Sequence, residues 1–243
     1  MRPFLLTLIF IASTVFAQEP PPKPVSKADV LATRAVQVFA GPDWAKARYF
    51  SYTFAVERNG NPASSFQQRW DRFTGDYRVS GVDPYGRDFV VVVNTATMKG
   101  KAWINGKPAE GKDADDMIAL GLRRYNNDTF WLLMPLKLVE AGAHHAIEKQ
   151  VTENGHTYDV LTTSLDNGNR SSAWVNHDTG DVEQWQMPGP KPDEPVVVMF
   201  RDFKKIGGVN IATTREIVGK NQTVHINDLV IAAEVPKDAF GNP

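Results

Sequence analysis

Between Tyr49 and Ala232 the sequence is a succession of short runs that alternate apolar and polar residues, each closed by a turn signal. Phe50, Tyr52, Phe54 and Val56 alternate with Ser51, Thr53, Ala55 and Glu57, the period of two that sends successive side chains to opposite faces of a strand. The aromatic set should face a core, and Ser51, Thr53 and Glu57 should face water. Asn59-Gly60, Thr74-Gly75, Asn105-Gly106, Asn154-Gly155 and Gly207-Gly208 are dipeptides suited to tight hairpin turns. Connections this short cannot hold crossover helices, so neighbouring strands must pair antiparallel. The pattern predicts five strands before Asn105 and seven more between about His145 and Ala232.

Two stretches break the period. Ser26 can cap a helix in which Val30, Leu31, Ala35, Val38 and Phe39 recur at helical spacing, and Gly41-Pro42 stops it. Residues 113–125 carry Met117, Ile118, Leu120, Gly121, Leu122 and Tyr125. They are acidic at Asp113, Asp115 and Asp116 and basic at Arg123-Arg124, the order a helix dipole favours. Phe130 to Met134 reads as a second, short helix stopped near Pro135. The expected fold is mainly antiparallel β within the α+β class: a strongly curved, incomplete β-barrel of about 10–12 strands with helices covering its concave face. The segment from Pro188 to Pro195 is short enough to be a hairpin loop, so residues 26–243 should form a single domain.

The N-terminus reads as a secretory leader over residues 1–17: Arg2 gives the positive start, Phe4 to Ile11 the apolar stretch, and Val15-Phe16-Ala17 a cleavage signal before Gln18. The apolar stretch falls short of the roughly 20 residues a membrane span needs. Gln18 to Val25, rich in proline, should be an extended spacer. The expected product is periplasmic or secreted, not an integral membrane protein. The chain has no cysteine, which excludes disulfides, thiol chemistry and lipid anchoring through a cysteine. A formal charge of −1, from 27 basic and 28 acidic residues, gives no overall attraction to nucleic acid.

The densest apolar block is Phe130-Trp131-Leu132-Leu133-Met134, preceded by Asn126-Asn127-Asp128-Thr129 and followed by Pro135-Leu136-Lys137-Leu138. Such a block must be core or the wall of an apolar cavity. Asn127, Asp128, Trp131, Leu132, Met134, Pro135, Lys137 and Leu138, together with Trp70-Asp71, Tyr77-Arg78-Val79 and the leader, resemble exported bacterial proteins of the lipoprotein-carrier (LolA/LolB-like) superfamily. The resemblance spans nearly the whole mature chain. It implies the curved sheet, an envelope location, and a lipoprotein acyl group as cargo. Carriers of this kind need a delivery partner, and nothing in the sequence identifies one.

Recognisable catalytic motifs are absent: there is no Gly-x-Ser-x-Gly elbow, Walker loop, dinucleotide-binding glycine pattern or His-Glu-x-x-His. His144 and His145 are neighbours and would face opposite ways on a strand, so they do not form a metal pair. Asp178-Thr179-Gly180 occurs once, between two strands, and reads as a turn rather than half of a carboxylate dyad. No cofactor and no metal are expected.

The resulting expectation is a soluble, non-enzymatic protein that binds an acyl chain, lipid or lipoprotein in an apolar cavity. Phe50, Tyr52, Phe54, Trp70, Met117, Leu120, Phe130, Trp131, Leu133 and Met134 are the candidate lining, and Arg69 on the concave face is the candidate for a polar headgroup. A non-enzymatic envelope scaffold with a filled core is the alternative. A hydrolase with catalytic groups dispersed over the strands is a third possibility.

Overall fold

A computed structural model describes residues 25–189, 191 and 194–242; the leader, its cleavage site and the spacer up to Pro24 lie outside the described residues. Helix α1 (Lys27–Ala40) is followed by a 3-10 turn at Trp44–Lys46 and six strands: β1 (Tyr49–Arg58), β2 (Asn61–Asp71), β3 (Asp76–Val82), β4 (Asp88–Asn94), β5 (Lys99–Ile104) and the two-residue β6 (Lys107–Pro108). Helix α2 (Gly111–Leu133) and a 3-10 segment, Met134–Val139, lead into β7 (Ala143–Glu153), β8 (His156–Leu165), β9 (Arg170–Asn176), β10 (Val182–Met187), β11 (Val196–Ile206), β12 (Val209–Ile217) and β13 (Gln222–Ala232).

All thirteen strands form one open antiparallel sheet in the order β6-β5-β4-β3-β2-β1-β13-β12-β11-β10-β9-β8-β7. Two sequential meanders are therefore joined where β1 pairs with β13, from Tyr49 opposite Ala232 to Arg58 opposite Gln222. At Asn59-Gly60, Asn105-Gly106 and Asn154-Gly155 both residues have positive φ, as expected for two-residue hairpin turns. The strand beyond the expected number is β6, where Asn105-Gly106 returns the chain onto Trp103 and Ile104.

The curved sheet is an incomplete barrel whose two halves carry separate cores. In the first, Phe50, Tyr52 and Phe54 are buried with Tyr77, Val79 and Val91 beneath α2. In the second, Leu161, Ala173, Trp185 and Phe200 pack beneath Leu31 and Ala35 of α1 and Met134 and Leu138 of the 3-10 segment. Gly121 lets α2 lie flush on the sheet, because a Cβ there would fall 2.7 Å from Val91 Cγ1. Ser26 and Asp29 cap α1 reciprocally: the Ser26 hydroxyl accepts from the Asp29 amide and the Asp29 carboxylate accepts from the Ser26 amide, both at 3.0 Å.

One expected element is different. Phe130 to Met134 is not a separate helix: α2 runs without a break from Gly111 to Leu133, and Pro135 lies in the following 3-10 segment. The polar run Asn126-Asn127-Asp128 imitates a linker, but Asp128 points inward and is fully buried.

Candidate binding clefts on the concave face

Asp128 is held by three side chains, two from its own helix and one from β2. Its carboxylate accepts from Arg124 Nε at 2.9 Å, Asn127 Nδ2 at 2.8 Å and Gln68 Nε2. Gln68 Oε1 in turn accepts from the Tyr52 and Tyr77 hydroxyls at 2.9 and 2.6 Å. Arg124 lies over the Phe66 ring at 4.2 Å. Burial pushes the Asp128 carboxyl above its ordinary value, although Arg124 and then Asn127 pull it the other way; both tyrosines are pushed well up by burial. No buried side-chain donor or acceptor of this cluster lacks a partner, so it clamps α2 onto β1–β3.

A second clamp holds α1. His145 Nδ1 lies 2.7 Å from Asp29 Oδ1, and its Nε2 lies 2.5 Å from the Leu138 carbonyl oxygen. The ring therefore ties β7 to both α1 and the 3-10 segment. His144 turns the opposite way, to Asp166 at 2.8 Å, as alternation along a strand requires.

The structure separates the sequence candidates into two groups. Phe50, Tyr52, Phe54, Met117 and Met134 are between 0% and 7% exposed and pack into the two cores; Leu120 packs against the first. Trp131 packs against both and meets Phe130 edge-on at 6.4 Å. Phe130 and Leu133 instead border open space, and Trp70, buried in the first core, forms its floor. Arg69 is displaced from its expected place: it pairs across the sheet with Ser51 and Arg78, on the face opposite Trp70, and donates to the Ala239 carbonyl at 3.1 Å. The one-residue offset from Trp70 is enough to put it on the convex side.

Two clefts meet at Phe130. One, about 520 Å³, has Trp70, Tyr125, Leu133 and Leu136 as its apolar surface. The other, about 750 Å³, runs over Trp185, Met187 and Leu165 between the 3-10 segment and β8–β10. Both also include Lys137 and Glu140, which form an ion pair at 2.8 Å. Each volume is in the range of small-molecule sites, about 300–1,000 Å³. The larger cleft is bordered by Thr163, whose hydroxyl is buried without a hydrogen-bond partner among the described residues. Sequence reasoning missed Gln68, Thr163, Trp185 and Met187. Trp185 and Met187 alternate with Gln184 and Gln186 and could have been assigned to an inward face; nothing local marks Thr163.

The sequence matches no family profile and no curated protein. Comparison with solved structures does find likenesses. A protein of the DUF1329 family from Desulfovibrio piger aligns with 89% of this chain and 97% of its own, at 15% identity and a TM-score of 0.51. A LolA superfamily protein from Nitrosomonas europaea aligns with 88% of this chain and 96% of its own, at 13% identity and a TM-score of 0.50. Among the described residues no helix is long and apolar enough to cross a membrane. At these identities the likeness concerns architecture: this chain has the LolA-like fold, a curved antiparallel sheet with helices on its concave side.

Proposed function

We propose that this protein is an exported, non-enzymatic carrier that holds the acyl chain of a lipid or lipoprotein in the groove flanking Phe130. The observation that carries the reading is the meeting of the two clefts at Phe130, with an apolar surface supplied by both halves of the sheet. A chain laid there would bury methylenes against Trp70, Leu133, Trp185 and Met187, gaining about 0.8 kcal/mol per methylene before ordering costs. The groove is open along its length, so cargo could enter and leave without dismantling either core. A carrier of this kind must hand its cargo to a delivery partner.

Titration with a fluorescent fatty acid should be saturable for the wild type and lost in Phe130→Ser. That variant should cost less stability than the about 3–5 kcal/mol of truncating a packed aromatic. Native mass spectrometry of the protein purified from its own host should show bound lipid. The filled centre of the concave face, where Phe50, Tyr52 and Phe54 leave no space, favours a second reading as an envelope scaffold. Absence of both saturable binding and co-purifying lipid would select that second reading.

A further inference from the structure

Four buried polar side-chain atoms have no hydrogen-bond partner among the described residues: Trp70 Nε1, Arg78 Nε, Thr163 Oγ1 and Arg215 Nε. An unpaired buried donor costs stability. Trp70 and Thr163 each line one of the two cargo clefts. The Trp70 ring packs against those of Phe50 and Tyr125, whereas the Thr163 side chain turns about a single bond.

The place of Thr163 follows from the strand period. Leu161 of β8 packs into the second core beneath α1, so Thr163 and Leu165, two and four residues further along, face the same side. Thr163 is only 3% exposed and lies opposite His145 on β7 and Ser171 on β9. His145 has both ring nitrogens engaged, by Asp29 and by the Leu138 carbonyl. Ser171 also lines the larger cleft, and the two hydroxyl side chains form a polar step beside Phe130, Leu165, Trp185 and Met187. The charges around this step are already matched: Lys137 pairs with Glu140 and Asp166 with His144, each at 2.8 Å. Arg170 is exposed and lies opposite Ser164, one residue out of phase with Thr163. A carboxylate at the step would sit among apolar side chains, with Glu140 and Asp166 in the same cleft, and burying its charge there is costly. An uncharged carbonyl oxygen accepts from a hydroxyl without that cost.

We propose that Thr163 and Ser171 form the subsite for the carbonyl group of an ester- or amide-linked acyl chain, so that the cargo is a neutral acyl conjugate rather than a free fatty acid. The staggered settings of the Thr163 side chain exchange its methyl and hydroxyl at the cleft wall, and the hydroxyl proton turns towards an acceptor. The tail lies along the apolar wall towards Phe130. This assignment rests on the carrier reading and narrows it to esters and amides.

The test compares 1-dodecanoylglycerol, N-dodecanoylglycinamide, 1-O-dodecylglycerol and dodecanoate, by calorimetric titration at neutral pH, on the full chain and on Thr163→Val and Ser171→Ala. The glycerol ester and ether differ only at the carbonyl. The wild type should bind the ester or the amide about fivefold or more tightly than the ether and dodecanoate, the gain expected of one hydrogen bond. Thr163→Val should lose that preference with an unchanged or higher urea midpoint, because an unpaired hydroxyl is removed. Ser171→Ala should reduce the preference. A preference for either carbonyl compound over the ether supports the subsite, and the tighter of the two tells a glyceride from the acylated end of a polypeptide as the source. Equal wild-type affinity for ester, amide and ether, or tighter binding of dodecanoate, overturns the subsite and leaves the carrier reading standing. A preference retained in Thr163→Val overturns it too, and so does a lower midpoint there, since the hydroxyl then serves the fold. If none of the four binds, both fall.

Discussion

Replacing Asp128 with alanine should be among the most damaging single changes available outside the apolar cores. Asp128 is fully buried and Arg124 is 19% exposed. Removal would leave a partly buried guanidinium without its counterion and the Gln68 amide without its acceptor, and would loosen the positions of the Tyr52 and Tyr77 hydroxyls. Breaking a buried pair from one side costs about 3–5 kcal/mol. An orphaned neutral donor adds about 1–3 kcal/mol, not fully additive because the groups are coupled. A loss of about 4 kcal/mol is therefore expected, against a total stability of about 5–15 kcal/mol for a domain. Urea unfolding followed by tryptophan fluorescence measures it. Removing both charges, as in Asp128→Leu combined with Arg124→Met, should recover much of the loss, because the desolvation burden goes with them. The reasoning fails if Asp128→Ala costs less than about 1 kcal/mol, or if the double variant is no more stable than the single one.

Acid should weaken the α1 anchor specifically. The hydrogen bond from His145, followed by those from Ser26, holds the Asp29 carboxyl down to about 2, below its ordinary 3.8. A depressed folded-state value contributes stability above the unfolded value, and that contribution disappears as pH falls from about 4 towards about 2. The gap in urea midpoint between wild type and Asp29→Asn should close over that interval; a gap that persists unchanged would contradict this. Gly207 has φ +54°, and a Cβ there would sit 2.4 Å from the Ile231 carbonyl oxygen. Gly207→Ala should destabilise by about 2 kcal/mol or more, from left-handed strain and the backbone clash together, and a thermal midpoint equal to that of the wild type would show that the β11–β12 turn can move away.

The sheet was legible because its instructions are local. Alternation at Phe50, Tyr52 and Phe54 and the Asn-Gly pairs specify strand faces and turns without reference to distant residues. The continuity of α2 was hidden because Asp128 obeys a tertiary instruction: its partner Gln68, which also holds the Tyr52 and Tyr77 hydroxyls, lies far away in sequence, and a polar residue on the buried side of a helix imitates a break. Arg69 was misplaced by a single step of the strand period. The clefts were only partly legible. Phe130, Leu133 and Trp70 lie in conspicuous apolar segments, but whether such segments enclose space or fill it depends on how the second meander approaches α2. Trp185, Met187 and Thr163 belong to strands that look like any others. Arg215 carries no local sign of burial, being flanked by Thr214 and Glu216 on a strand of ordinary composition.

The pairing of β1 with β13 bears on how the chain can be synthesised. Each meander is contiguous, so its ladders can form as soon as its own residues are available. The central ladder, in contrast, unites Tyr49 with Ala232 and waits until the whole of both meanders has been made. Its closure entropy grows only logarithmically with the intervening length. Until β13 arrives, however, β1 presents an unpaired edge, with the aromatic face of Phe50, Tyr52 and Phe54 beside it, the kind of surface that recruits other chains. A nascent molecule of this protein is thus most vulnerable to self-association at the middle of its future sheet, and a bound chaperone at that edge would shield it until β13 arrives.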